Sequence, residues 1–166
     1  MIDRGADESV RKEAKDLLKS CQKEVPFSDY THNRMLVKKA QKLLSSENYT
    51  LESNLTKSEA MKSRISNYLS KENVDKVVKR IIKKNAKAYS DYESSKKLTI
   101  KYNIVEADKH GLNKVNETKA FTQGYLDFKF SIEEDMVYEA RIDFIGRNGE
   151  DIPRRIECII NSLITL

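Results

Sequence analysis

Strict alternation of apolar and polar side chains spans more than one element only between Ala120 and Gly146. Ala120, Thr122, Gly124, Leu126, Phe128, Phe130 and Ile132 fall on one side, and Phe121, Gln123, Tyr125, Asp127, Lys129 and Ser131 on the other. That is the pattern of a half-buried strand. After the acidic turn Glu133-Glu134-Asp135 the alternation resumes, with Met136, Tyr138, Ala140, Ile142, Phe144 and Gly146 set against Glu139, Arg141 and Asp143. The two runs predict an antiparallel hairpin. Leu98, Ile100, Tyr102 and Ile104 alternate with Thr99, Lys101 and Asn103 and predict a further strand before it. The polar connection 107–119 is long for a hairpin.

Elsewhere the apolar period is helical. Behind the cap residue Asp7, Val10, Ala14, Leu17, Leu18 and Cys21 lie on one face, which Val25 continues until Pro26 stops the helix. A second helix is expected from Asp29 or Thr31, burying Met35, Leu36, Ala40, Leu43 and Leu44, with Phe27 and Tyr30 plugging the end of the pair. The stretch from Ser45 to Leu55 reads as a polar loop. A capping box, Thr56-Lys57-Ser58-Glu59, opens a third helix through Ile65. The strongest stripe is Val74, Val77, Val78, Ile81, Ile82, Asn85, Ala86, Tyr89 and Tyr92, and it predicts a helix over 74–92. A last helix follows Asp151, with Pro153 in its first turn and Ile152, Ile156, Ile159, Ile160 and Leu163 buried.

These elements predict an α+β protein in two parts. Residues 1–70 form a segment of three helices. Residues 71–166 form an α-β-β-β-α unit whose three-stranded antiparallel sheet is covered on one face by helices.

Composition narrows the function classes. The 166 residues are 39% hydrophobic and 34% charged, and the apolar positions are periodic, as in a folded chain. No run of about 20 apolar residues is available for a membrane span, and Met1-Ile2-Asp3-Arg4-Gly5 lacks the apolar core of a signal peptide, so a cytoplasmic protein is expected. Cys21 and Cys158 lack metal-ligand spacing and read as separate buried thiols. His32 and His110 sit near no cysteine or carboxylate cluster, and no phosphate-binding glycine loop, nucleophile elbow or dinucleotide fingerprint occurs. No cofactor or metal is expected.

Charge is uneven. Residues 71–97 hold nine Lys or Arg against Glu72, Asp75, Asp91 and Glu93, as large an excess as the net +5 of the whole chain. Lys76, Lys79, Arg80, Lys83, Lys84 and Lys87 occupy the polar side of the 74–92 helix, where a row of cations can replace counterions along a phosphate backbone. The same lysines also serve to solvate a packed helix. The order helix, three strands, helix resembles, in topology alone, a family of small nucleoid-associated proteins and the double-stranded-RNA-binding fold. Arg154 and Arg155, flanked by Glu150, Asp151 and Glu157, stand where that fold is lysine-rich, and the chain is not assigned to it.

On the polar sheet face, Asp127, Lys129 and Glu139 loosely match a metal-dependent phosphodiesterase arrangement, although alternating charges are equally what a solvated sheet carries. Phe121, Tyr125, Val137 and Ile145 are expected on that face and would form an apolar patch for the N-terminal helices, a protein partner or a second subunit. The leading expectation is a non-enzymatic binding protein that meets another protein through the sheet face or the N-terminal helices. Nucleic-acid binding through the basic helix is the alternative, and the phosphodiesterase a remote one.

Overall fold

The computed structural model describes residues 4–57, 65, 69–86, 95–107 and 122–166. Within them the chain order is α1 (Arg4–Glu24), β1 (Phe27–Thr31), a 3-10 turn (Arg34–Leu36), α2 (Val37–Ser45), β2 (Tyr49–Thr56), α3 (Lys71–Asn85), β3 (Leu98–Glu106), β4 (Gly124–Ile132), β5 (Asp135–Phe144) and α4 (Ile152–Ile164). The mixed α+β class stands. The sheet, however, has five strands rather than three, in the order β1-β5-β4-β3-β2.

The three expected strands lie at its centre. Leu98, Ile100, Tyr102 and Ile104 of β3, Leu126, Phe128, Phe130 and Ile132 of β4, and Tyr138, Ala140, Ile142 and Phe144 of β5 are all buried on the helix side. Aromatic rings run across this face: Tyr102 stacks on Phe128 at 4.9 Å, Phe128 on Phe130 at 6.2 Å, and Phe130 on Tyr138 at 6.0 Å between centroids. α3 covers it with Val74, Val78, Ile81 and Ile82, and α4 with Ile152, Ile156, Ile159, Ile160 and Leu163. Ser70 caps α3 by accepting from the Asn73 amide at 3.3 Å.

The two outer strands overturn two expectations. Phe27–Thr31 is a strand antiparallel to β5, not the end of a helical pair. Pro26 has no amide to donate and starts extended chain, and Asp29 turns inward to accept from the Tyr138 hydroxyl at 2.8 Å. The expected second helix shrinks to the 3-10 turn and α2. The 45–55 stretch is no loop: Tyr49–Thr56 pairs in parallel with β3 along its whole length. α2 ends abruptly enough to allow this because Glu47 adopts a left-handed φ of 61°. The Glu47 amide then returns to Leu44 O at 3.2 Å and the Asn48 amide to Leu43 O at 2.9 Å, the two bonds that close a helix and redirect the chain.

Of the expected third helix, residues 58–64 and 66–68 lie outside the described residues, as do 87–92 of the expected 74–92 helix. Thr56 itself ends β2 and donates its hydroxyl to Asn103 Oδ1 at 3.1 Å.

α1 packs on α4. Cys21 and Cys158, both fully buried, meet there as a disulfide with their Cα atoms 6.5 Å apart, instead of the separate thiols expected. The facing apolar stripes of two packed helices put both at one level, which their distance in sequence conceals. Beside the disulfide, buried Arg155 donates to Glu24 Oε1 at 2.8 Å and to Asp151 Oδ2 at 2.9 Å. Arg154 also binds Glu24, at 3.0 and 3.1 Å. These bonds hold the end of α1 and so aim the chain into β1.

Candidate functional site

The strand register defines the sheet face opposite the helices. One row across it reads Ser28, Arg141, Asp127, Asn103, Asn54, and the next reads Tyr30, Glu139, Lys129, Lys101, Glu52. Opposite charges meet across strands: Arg141 lies 3.7 Å from Asp127, and Lys101 3.9 Å from Glu52. Arg141 also places its guanidinium carbon 4.1 Å from the Tyr125 ring centroid, a cation–π contact. Burial on this face pushes the neighbouring Asp143 carboxyl up to about 6, while Arg141 opposes the shift.

Chemical variety concentrates toward β1. The His32 ring meets Glu139 Oε1 at 2.9 Å and stands edge-on to Tyr30 at 4.6 Å. Ser28, Asp29, Tyr30, Asp127, Glu139 and Arg141 line a shallow depression of about 240 Å³. Among the described residues the large apolar side chains left exposed are Tyr30, at 62%, and Met35, at 92%. Both belong to the segment that carries His32.

The free edge of β1 follows from its hydrogen bonds. The Asp143 amide donates to Pro26 O, and the His32 amide to Val137 O. Even-numbered residues of β1 therefore bond to β5, and Phe27, Asp29 and Thr31 direct their N–H and C=O groups outward.

The residues expected to form an apolar patch do not come together. Val137 is fully buried rather than on the polar face. The register slips at Phe130/Ser131, so that Phe130 pairs with Tyr138 but Ser131 with Met136, and the extra residue of this bulge turns its side chain into the core. Ile145 lies beyond the end of β5, half-buried against the core, with its amide donated to Asp151 Oδ2 at 3.0 Å. Tyr125 does occupy the open face. Phe121 lies outside the described residues.

The basic helix presents Lys76, Lys79, Arg80, Lys83 and Lys84 to solvent. Lys84 approaches Glu157 at 3.5 Å, whereas no ion pair among the described residues engages the other four. Lys87 lies outside the described residues. Of the residues expected for metal chemistry, Asp127 and Glu139 face Arg141 and His32, and among the described residues no cluster of three or more His, Cys, Asp or Glu converges. Nor is any helix among them long and apolar enough to cross a membrane.

Tyr30, His32 and Met35 are not distinguishable as surface residues in the sequence, where Tyr30 reads as a plug at the end of a helical pair and Met35 fits the apolar face of a helix. The available signal was Pro26, which separates them from the first helical stripe.

No protein-family model, curated protein or solved structure matches the chain.

Proposed function

We propose that the protein is a non-enzymatic binding protein that engages another protein through the β1 side of its open sheet face. The observation that carries this reading is the exposure of Tyr30 on the lining of a concave, charged surface, with Met35 exposed in the 3-10 turn that follows the same strand. Folding leaves an isolated apolar side chain in water without consequence, but here Tyr30 stands against His32 and lines one depression with Arg141, and Met35 is exposed five residues further on. Tyrosine, methionine and arginine are enriched at the centres of protein interfaces, where a few such anchors carry most of the binding energy. The preformed ion pairs on this face act as a polar rim that fixes register.

The test compares the native chain with a Tyr30→Ala, Met35→Ala variant as bait in extracts of the native cell, with and without nuclease and at rising salt. The reading expects one polypeptide held by the native chain in a salt-tolerant, nuclease-resistant manner and released by the double variant. Equal retention by the variant, or retention abolished by nuclease, would refute it.

A further inference from the structure

We infer that the opposite edge of the sheet, strand β2, is a docking site for an acidic, extended peptide that adds a sixth strand alongside α3. The site lies roughly 19 Å from β1, four strand spacings of about 4.8 Å, and stands independently of the interface proposed above.

The hydrogen-bond phase of β2 is fixed by one bond, Leu98 N to Asn48 O at 3.0 Å, together with the Tyr49–Leu98 pairing. In a parallel ladder this commits the even-numbered residues of β2 to β3. Tyr49, Leu51, Ser53 and Leu55 therefore point their amides and carbonyls outward, and no described residue pairs with them. The strand is eight residues long and contains no proline, glycine or bulge. Natural edges usually blunt themselves by such devices, and one lacking them is a template for a further strand.

Its side chains are also incompletely covered. Tyr49, Leu51 and Leu55 face the helix layer yet remain only half-buried against the core. An added strand with apolar residues in alternate positions would finish their burial.

The charge beside the edge selects the occupant. α3 connects two parallel neighbours, so it runs back along β2. Its Asp75 is fixed over β2 and β3 by the Ser53 hydroxyl at 3.5 Å and the Tyr102 hydroxyl at 2.5 Å. Lys79 and Lys83 follow one and two turns later on the same side of the helix, above the start of β2, and both are exposed and outside any ion pair among the described residues. Lys76 and Arg80 add to the field from the outer surface. Glu72 and Asp75 are the acidic residues of α3, against six Lys or Arg, and Asp75 is already bonded. The excess is positive, so an acidic strand is favoured. A second copy is disfavoured, because antiparallel β2 pairing about a two-fold axis would bring two such lysine rows together.

The experiment measures binding of a panel of nine-residue peptides alternating Glu with Val, Ile or Thr, against the same peptides with Lys in place of Glu, by fluorescence anisotropy. Amide hydrogen exchange on the full chain is read in parallel, together with binding of a duplex RNA. The proposal expects an acidic peptide to bind and to slow exchange at Tyr49, Leu51, Ser53 and Leu55, and Lys79→Glu with Lys83→Glu to weaken binding on the order of tenfold. It is overturned if no acidic peptide binds, or if binding leaves those amides unprotected. It is equally overturned if the lysine pair binds duplex RNA and the acidic peptides do not compete.

Discussion

Replacing Arg155 by alanine perturbs the joint that directs the chain into β1. Arg155 is 2% exposed and gives one donor to Glu24 and another to Asp151. Breaking a buried ion pair from one side costs about 3–5 kcal/mol, chiefly because a charge is left without its partner. Here the remaining groups are partly provided for. Glu24 keeps Arg154 and is 40% exposed, and Asp151 keeps the amides of Ile145 and Gly146 at 3.0 and 2.8 Å. The cost therefore falls at the lower end, about 3 kcal/mol, or roughly 6–12 °C in Tm for a domain of this size. Arg154→Ala removes a pair that is 40% exposed on both sides and should cost no more than about 1 kcal/mol. Urea denaturation followed by circular dichroism measures both variants, and hydrogen exchange should show faster opening of β1 in Arg155→Ala. The reasoning fails if Arg155→Ala is destabilised no more than Arg154→Ala. The pH dependence supplies a second check. Hydrogen bonding and charge from Arg154 and Arg155 hold the Glu24 carboxyl below its ordinary value of 4.5, against the opposing effect of burial. A depressed acid stabilises the fold above that value and loses its contribution as pH falls through the lower, folded one. The gap between wild type and Arg155→Ala should accordingly narrow below pH 4.5.

Two further substitutions test the sheet itself. Val137→Asp should destabilise by at least about 2 kcal/mol, since it puts a charge where the bulge buries an apolar side chain, whereas an open-face Val137 would tolerate it; thermal denaturation separates the two. Asp143→Asn should stabilise the protein at pH 7 by about 1 kcal/mol, a figure reduced for the solvent still reaching the carboxylate. The wild-type carboxyl titrates at about 6 when folded and near 3.8 otherwise, so ionised Asp143 opposes folding. The advantage of asparagine should fade as pH falls from 6 to 4, and an advantage constant across that range would contradict the assignment.

The centre of the fold was legible because β3, β4 and β5 each have one dry face, and the two-residue period records it. The outer strands left weaker traces. Tyr49, Leu51 and Leu55 do alternate, but Ser53 interrupts the series, because that position bonds Asp75 of α3 instead of packing as a hydrophobe. β1 is five residues long and carries Asp29 on its inward side, where the hydroxyl of Tyr138 satisfies it. Nothing local announces that pairing. Val137 was misplaced for a different reason: alternation assumes an unbroken register, and one inserted residue reverses the faces beyond it. The basic surface of α3 was readable directly from composition. The grouping of Tyr30 and His32 with Glu139 and Arg141 was not, since it depends on which strand lies next to β5.

Hydroxyl-radical footprinting of the free chain and of its complex with the captured polypeptide tests the proposed interface most directly. The account predicts heavy oxidation of Tyr30 and Met35 in the free protein and strong protection of both in the complex, with Tyr102 and Tyr138 protected throughout. Unchanged oxidation of Tyr30 and Met35 on binding would contradict it.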